Sequence, residues 1–485
     1  MIAHDYDSMH PAGRIIEFMV RRSCPALLTV LLLGACGHVA SGPAPLPKGV
    51  ASADPVIREA IETAWATTHA SPSSAEAWLQ LALLLDGNGF DTSAATAWTT
   101  MESLAPSDGR PPYFLALQAA EQGNWDAALE RMQRVRTLAP NHSPAAWRAG
   151  FWLLDLGDAQ AARALFQRAL GTDPTAAAAS IGIARADLAL DRTNAAITRL
   201  SELASQTGHP YTIYLLGQAL RRGGRGDEAA SLPITGTPAV PRFPDAWNAA
   251  LLDAQRGLDG ELARADRLLE DGRVDDASLA IKRALVIWPD HVHLLNRLGE
   301  VHRRNNDATK WARTLQRAVR LDPESFQSQL NLSMALRSTG DLEQALRAAV
   351  IAAGLQPDVP EGHLQVARMH LLAKRPIEAI AAMEQAFALG VTDPREHVQF
   401  AAALLQAHRA DEAIARLDDV LKRTPTLPNG WIVMAKAHAV AGRPQIAMEA
   451  AKAGLRHNPG HPQLRQLSSD LSRGAQGRSN QENDT

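Results

Sequence analysis

An all-α solenoid of about eleven helical hairpins, interrupted after the fifth, is the fold class this sequence predicts. Three observations carry that prediction. Prolines recur at a constant interval: Pro106, Pro140 and Pro174 are 34 apart, as are Pro289, Pro323 and Pro357, and Pro425 and Pro459 keep the register with Val391 in the one substituted place. Composition favours helix, because Ala and Leu dominate a hydrophobic share of 46% while aromatics reach only 5% and β-formers are sparse. Small residues also recur at fixed places in the period, such as Gly150, Gly217 and Gly299 early and Ala94, Ala162 and Ala345 later, where they let paired helices approach closely.

The first 53 residues read as an address followed by a tether. From Met19 a basic pair, Arg21-Arg22, precedes a short apolar run that ends in small residues, the order of a secretory signal. The run is too short for a mature membrane span, which needs about 20 apolar residues. Leu33-Gly34-Ala35-Cys36 resembles the lipobox of bacterial lipoproteins, which implies cleavage before Cys36 and lipid attachment to its thiol. By the same resemblance, glycine rather than aspartate at position 37 implies an outer-membrane address. Residues 1 to 18 carry Asp5, Asp7 and Glu17 ahead of the basic pair and fit no signal pattern, which leaves Met19 as a candidate start. Residues 36 to 53 are rich in Gly, Ala, Ser, Pro and Val, a composition suited to a flexible tether.

The folded part is expected to begin with a capping helix, Pro55 to Thr68. Hairpins follow with starts near Ala75, Gly109, Ser143, Ala177 and Pro210, then near Leu258, Val292, Phe326, Pro360, Pro394 and Pro428. Glycine at the turn between paired helices, as at Gly89, Gly123, Gly157, Gly340 and Gly442, tolerates the left-handed backbone that ends a first helix, and proline cannot continue the second. The expected blocks are residues 54–232 and 258–473, the latter closed by a polar-faced helix from Pro462 to Arg473. Residues 474–485, polar and rich in Gly, Asn, Gln and Ser, are expected to be disordered.

The register breaks once. After Pro174 the next phased proline, Pro289, arrives thirteen residues late, and the excess falls between Ser231 and Gly257. Pro233, Pro238, Pro241 and Pro244 make the start of that stretch non-helical, whereas Trp247, Leu251 and Leu252 lie at helical spacing from Ala246 to Gln255. Residues 233–257 therefore read as a joint between blocks. Two readings of it stay open: a decorated loop packed on the outer face, and a hinge or partner site.

The period and its contents resemble the tetratricopeptide repeat. With Pro106 as the thirty-second place, Trp78, Leu81, Ala82, Leu85, Gly89, Ala94, Trp98 and Met101 fall on the family pattern. So do Ala149, Gly150, Leu153, Gly157, Ala162, Phe166, Ala169 and Pro174 in the third unit, and Leu298, Gly299, Leu315, Ala318 and Pro323 in the seventh. The resemblance covers residues 75–473 and implies a right-handed superhelix whose first helices line a concave face. Projection onto that face places Tyr113, Tyr211 and Tyr214 there, the tyrosines of the mature chain, joined by Trp147 and Phe151. Such rings anchor interfaces because they bury much area at little cost in rotamer entropy. From the fifth unit onward the projection adds Arg221, Arg222, Arg303, Arg304, Arg337 and Arg368, a cationic half suited to acidic segments. Asp266, Glu300 and Glu361 share it. Core packing and ordinary solvation are the competing readings of the two sets. The lysine-bearing constellation with which some family members clamp a C-terminal carboxylate is absent; only Asn296 and Asn331 lie at neighbouring places.

Several functions are disfavoured. A net charge of −3 gathers no nucleic acid. The two cysteines, Cys24 and Cys36, support no disulfide framework or zinc cluster, so no metal or cofactor is expected. Gly223-Gly224-Arg225-Gly226 lies at a hairpin turn with no strand before it and makes weak evidence for phosphate binding. His302, His370 and His438 occupy the family's tyrosine place, and His363 and His397 its tryptophan place, so hairpin position accounts for them. The sequence thus predicts a non-catalytic scaffold without a small-molecule substrate. It is expected to be lipid-anchored, to face the periplasm, and to serve an envelope assembly, pilus or polysaccharide-export system through protein partners in the groove. The alternative is a periplasmic chaperone or tether for extended clients.

Overall fold

The fifteenth place of every repeat has left-handed backbone. Gly89, Gly123, Gly157, Gly224, Gly272, Gly340 and Gly442 fill it with positive φ, and Asp191, Asn306, Lys374 and His408 adopt the same conformation with a side chain. Among the described residues these turns mark eleven hairpins, matching the starts expected from sequence. The computed structural model describes residues 46–232 and 238–482, and among them every regular element is helical. The signal segment, Cys36 and the tether up to residue 45 lie outside the described residues, as do residues 233–237.

Local chemistry explains where each helix starts. Ser74, Ser325 and Asp393 accept backbone N–H groups at the start of first helices, and Asn124, Asp158, Asp307 and Asp341 do so for second helices. A less obvious bond fixes the entry of several first helices. Trp78 and Trp431 donate their indole N–H to the carbonyls of Pro72 and Pro425, at 2.9 and 2.8 Å. At the same place Gln329 donates to Pro323 at 3.0 Å, and His363 puts Nε2 2.9 Å from the carbonyl of Pro357. His363 therefore does what tryptophan does elsewhere in the repeat.

Two compact units result. The first takes the described residues up to Leu216 and returns for those between Pro238 and Ala254; the second holds Gly217 to Leu232 and everything from Gln255 onward. The boundary lies inside helix Pro210–Arg222, earlier than the expected end of the first block at residue 232. The second helix of the fifth hairpin is cut to Gly226–Ala230, as the proline cluster requires.

In the first unit the core runs from the capping helix Pro55–Ala70 into the hairpins, and Val50 is fully buried in it. The last residues of the expected tether thus belong to the fold: Gly49 turns with φ +87° and Val50–Ser52 forms a 3-10 turn. Phe166 shows why small residues recur. Its ring fills the space that a Cβ would need on Gly150 of its own hairpin and on Gly182 of the next, where the closest approaches would be 2.8 and 2.2 Å. Larger side chains at either place would force the helices apart.

In the second unit a buried polar ladder crosses successive first helices: Asn296 donates to Ser328 Oγ at 2.8 Å, and Gln365 to Ser333 Oγ at 3.0 Å. The last helix runs from Pro462 to Glu482, well beyond the expected end at Arg473. Residues up to 482 are therefore helical rather than disordered. No proline follows Pro462 to stop the helix, and glycines such as Gly474 cost only about 1 kcal/mol each.

Candidate partner-binding face

The first helices of the first three hairpins, Ala75–Gly87, Arg110–Glu121 and Ser143–Asp155, carry a face that is already covered. Its cover is the joint. Residues 238–245 run without regular structure and continue into the helix Ala246–Ala254, which packs on Ala75–Gly87. The expectation of an outer-face loop gives way to this arrangement, because the joint's apolar and acidic side chains find their partners among first-helix residues.

Three anchors hold the segment. Phe243 lies parallel to Phe151, ring centres 6.2 Å apart, and meets Trp147 edge-on at 5.7 Å. Asp245 is buried; its carboxylate accepts Arg148 Nε at 3.0 Å and the Tyr113 hydroxyl, with His142 Nε2 3.7 Å away. Trp247 stacks on His142 with centres 3.7 Å apart and meets Tyr113 edge-on at 5.3 Å. Further along, Asn88 donates its side-chain amide to the carbonyl of Ala254 at 3.2 Å. A charge taken out of water needs such partners, and here a guanidinium and a phenol supply them.

Electrostatics follow from burial. The Tyr113 hydroxyl is held well above its ordinary pKa, chiefly by desolvation, so it stays protonated and donates. His142 is pushed down to about 4 by burial, with Asp245 opposing and Arg148 assisting the shift. Its Nε2 is buried with no hydrogen-bond partner. Arg148 also lies over the Trp147 ring, 4.7 Å from its centre, so one side chain serves both the carboxylate and an aromatic wall.

Of the residues singled out from sequence, Tyr113, Trp147 and Phe151 meet in this cluster, exposed by 0, 6 and 5%. Tyr211 and Tyr214 are half-buried; desolvation raises the Tyr211 pKa, with Arg185 opposing, and Arg185 also lies over Phe151. Among the arginines of the second unit, Arg303 and Arg304 both pair with Glu300, at 2.6 and 2.8 Å, and Arg304 also reaches the carbonyl of Leu269. Arg368 pairs with Glu396 at 2.5 Å. Arg303, Arg304 and Arg368 thus have acidic partners within the chain. Arg221, Arg222 and Arg337 lie at the surface. Asn296 is 4% exposed and belongs to the polar ladder, with Asn331 donating to it at 3.4 Å.

Arg148, His142, Asp245 and Phe243 escaped the sequence reading. The spacing of Trp247 signals a helix but not its stack on His142. Among the described residues no group of three or more His, Cys, Asp or Glu side chains is placed to hold a metal ion, and no helix is long and apolar enough to cross a membrane.

Tetratricopeptide-repeat family models match residues 115–177, 153–211, 262–326, 312–350, 330–390 and 404–471, together more than half of the chain. The chain belongs to the tetratricopeptide-repeat family. Such repeats are protein–protein interaction modules and are generally non-catalytic. No curated protein matches the sequence. Solved tetratricopeptide-repeat structures to which it is similar include PilF of Pseudomonas aeruginosa, 16% identical, spanning 44% of this chain and 96% of that one with a TM-score of 0.39. A thermophilic tetratricopeptide-repeat protein of Thermus thermophilus, TTC0263, is 26% identical over 37% of this chain and 97% of its own, with a TM-score of 0.31. YrrB, described as having an unusual peptide-binding site, is 14% identical over 40% and 98%, with a TM-score of 0.36.

Proposed function

We propose that this tetratricopeptide-repeat protein is a scaffold held at a bacterial cell envelope by a lipid on Cys36 and facing the periplasm, where it recruits a protein partner to an envelope assembly, pilus or polysaccharide-export machine. Recruitment uses the first-helix faces, with Tyr113, Trp147, Phe151, Tyr211 and Tyr214 as aromatic anchors and Arg221, Arg222, Arg303, Arg304, Arg337 and Arg368 meeting acidic groups. The observation that carries the reading is that one such face already holds an extended segment through rings and a buried ion pair, the contacts that give hot-spot interfaces their energy. The lipid anchor rests on Leu33-Gly34-Ala35-Cys36 and the basic-apolar run before it.

Affinity purification from native membranes tests the scaffold. One partner recovered in fixed stoichiometry supports it, whereas many clients in variable amounts replace it with a chaperone. The anchor is tested separately, since Cys36→Ser should move the protein from the membrane to the soluble fraction. Retention in the membrane refutes the lipid.

A further inference from the structure

The segment from Pro238 to Ala254 is bound as a peptide ligand is bound. Phe243 and Asp245 face the first helices from the irregular stretch, Trp247 faces them from the first turn of the helix that follows, and Arg242, Pro244 and Ala246 between them are exposed. The short helix that follows leaves Ala249, Ala250 and Asp253 exposed and contributes one buried side chain, Ala254. Hairpin helices are different: Arg110–Glu121 and Ser143–Asp155 each bury nine residues. The receptor side comes from the first three hairpins, whose first helices also pack on their own second helices. Three side chains, Phe243, Asp245 and Trp247, supply the aromatic and carboxylate contacts.

We propose that residues 238–254 are a built-in ligand, and that the face formed by Tyr113, His142, Trp147, Arg148 and Phe151 is the receptor for a segment of a partner protein. That segment carries an aromatic side chain, a carboxylate two residues later and a second aromatic ring two residues beyond. The chain's own copy covers the face until such a partner displaces it. This rests on reading the chain as a protein-binding scaffold, and it adds what the face selects. Arg148 and the Tyr113 hydroxyl read the carboxylate, which is a side chain inside the segment and not a chain terminus. Trp147 and Phe151 take the first ring, and the His142 plane takes the second. Arg148 favours an acidic partner, because a segment without the carboxylate forfeits a charge-assisted hydrogen bond in a buried place.

The test uses the full chain and a fluorescein-labelled synthetic peptide of residues 238–254, with binding read by anisotropy. Replacing Phe243, Asp245 and Trp247 by Ala in the protein lifts the built-in copy and leaves the receptor residues untouched. That variant should bind the free peptide about tenfold or more tightly than the wild type does, since the internal competitor is gone. A peptide with Asp245→Asn should bind roughly tenfold or more weakly, and Arg148→Ala added to the variant should remove the difference between the two peptides. Should the triple variant lose its helical circular dichroism, Asp245→Asn alone in the protein provides the same comparison. A folded variant that binds neither peptide, or binds both equally, overturns the proposal. Peptide binding that depends on Arg148 in a protein recovering no partner from membranes would overturn the scaffold reading alone; a stoichiometric partner recovered without peptide binding would overturn this one alone.

Discussion

The indole of Trp247 lies flat on the imidazole of His142, with ring centres 3.7 Å apart and planes 17° from parallel. One residue belongs to the joint and the other to the turn that opens the third hairpin, so the stack reports whether the segment is down. Burial under that stack drives the His142 pKa to about 4 from an ordinary 6.5.

A dependence on pH follows, with a definite sign. Above 6.5 the ring is neutral whether the segment is docked or lifted, and docking is at full strength; below it, a lifted ring takes a proton that the docked one accepts only near 4. The groups facing it are Asp245, which favours the proton, Arg148, which opposes it, and Tyr113, which stays protonated. Docking should weaken by up to about tenfold per pH unit below the ordinary value. The fluorine resonance of 5-fluorotryptophan at position 247, assigned with Trp247→Phe, should shift towards the solvent-exposed position between about pH 7 and about pH 5. A His142→Asn protein should lose that dependence, and an unchanged wild-type resonance would contradict it.

Gly109 makes room for the same ring. A Cβ there would lie 2.9 Å from Trp247 Cη2 and 3.1 Å from Ala139 Cβ. Gly109→Ala should therefore lift the segment or cost about 1–3 kcal/mol of first-unit stability, and Trp247→Ala in the same chain should recover part of the loss. Urea denaturation of the single and double variants reads the coupling. Additive effects would contradict the contact.

Gly182 and Phe166 make the clearest packing test. Because the Cβ would come within 2.2 Å of the ring, Gly182→Ala should destabilise the first unit by about 1–3 kcal/mol despite the higher helix propensity of alanine. Phe166→Leu beside it should restore some of that stability. A Gly182→Ala protein as stable as the wild type would mean the helices have slack that this packing denies.

Asp86 gives the opposite pH sign from ordinary salt-bridged carboxylates. It accepts the Trp98 indole N–H and the Gln118 amide, each at 2.8 Å, yet burial raises its pKa from 3.8 to about 6. The folded state then holds the proton more tightly than the unfolded one, so this group's stabilising contribution is complete below 3.8 and is lost as pH rises through about 6. Melting temperatures of wild type and Asp86→Asn should converge or cross as pH varies across that window. Parallel profiles would contradict the shift.

What was legible in the sequence is what backbone chemistry fixes locally. The fifteenth-place turn needs left-handed backbone and the thirty-second place stops a helix, so glycine and proline announced the eleven hairpins before any contact was known. Where Asp191, Asn306, Lys374 and His408 stand in the glycine place, the period alone located the turn. The covered face was only half legible. Tyr113, Trp147 and Phe151 fell on first-helix places by register, but Arg148 and Asp245 are 97 residues apart and no periodicity joins them. The signal that could have joined them was an aromatic, acidic, aromatic series at every second place, Phe243, Asp245 and Trp247, at the end of the proline-rich stretch. The intrachain partner of two arginines was legible as well: Glu300 stands three and four residues before Arg303 and Arg304, the spacing at which helix side chains pair.

Amide hydrogen exchange across Ala246–Ala254 tests the central claim most directly, because a nine-residue helix has little stability of its own. In the wild-type chain these amides should be protected well beyond an isolated peptide, and Asp245→Asn should abolish the protection while the hairpin helices Arg110–Glu121 and Ser143–Asp155 keep theirs. Free exchange in the wild type, or protection that outlasts the loss of the carboxylate, would show that this face is not held by its own segment.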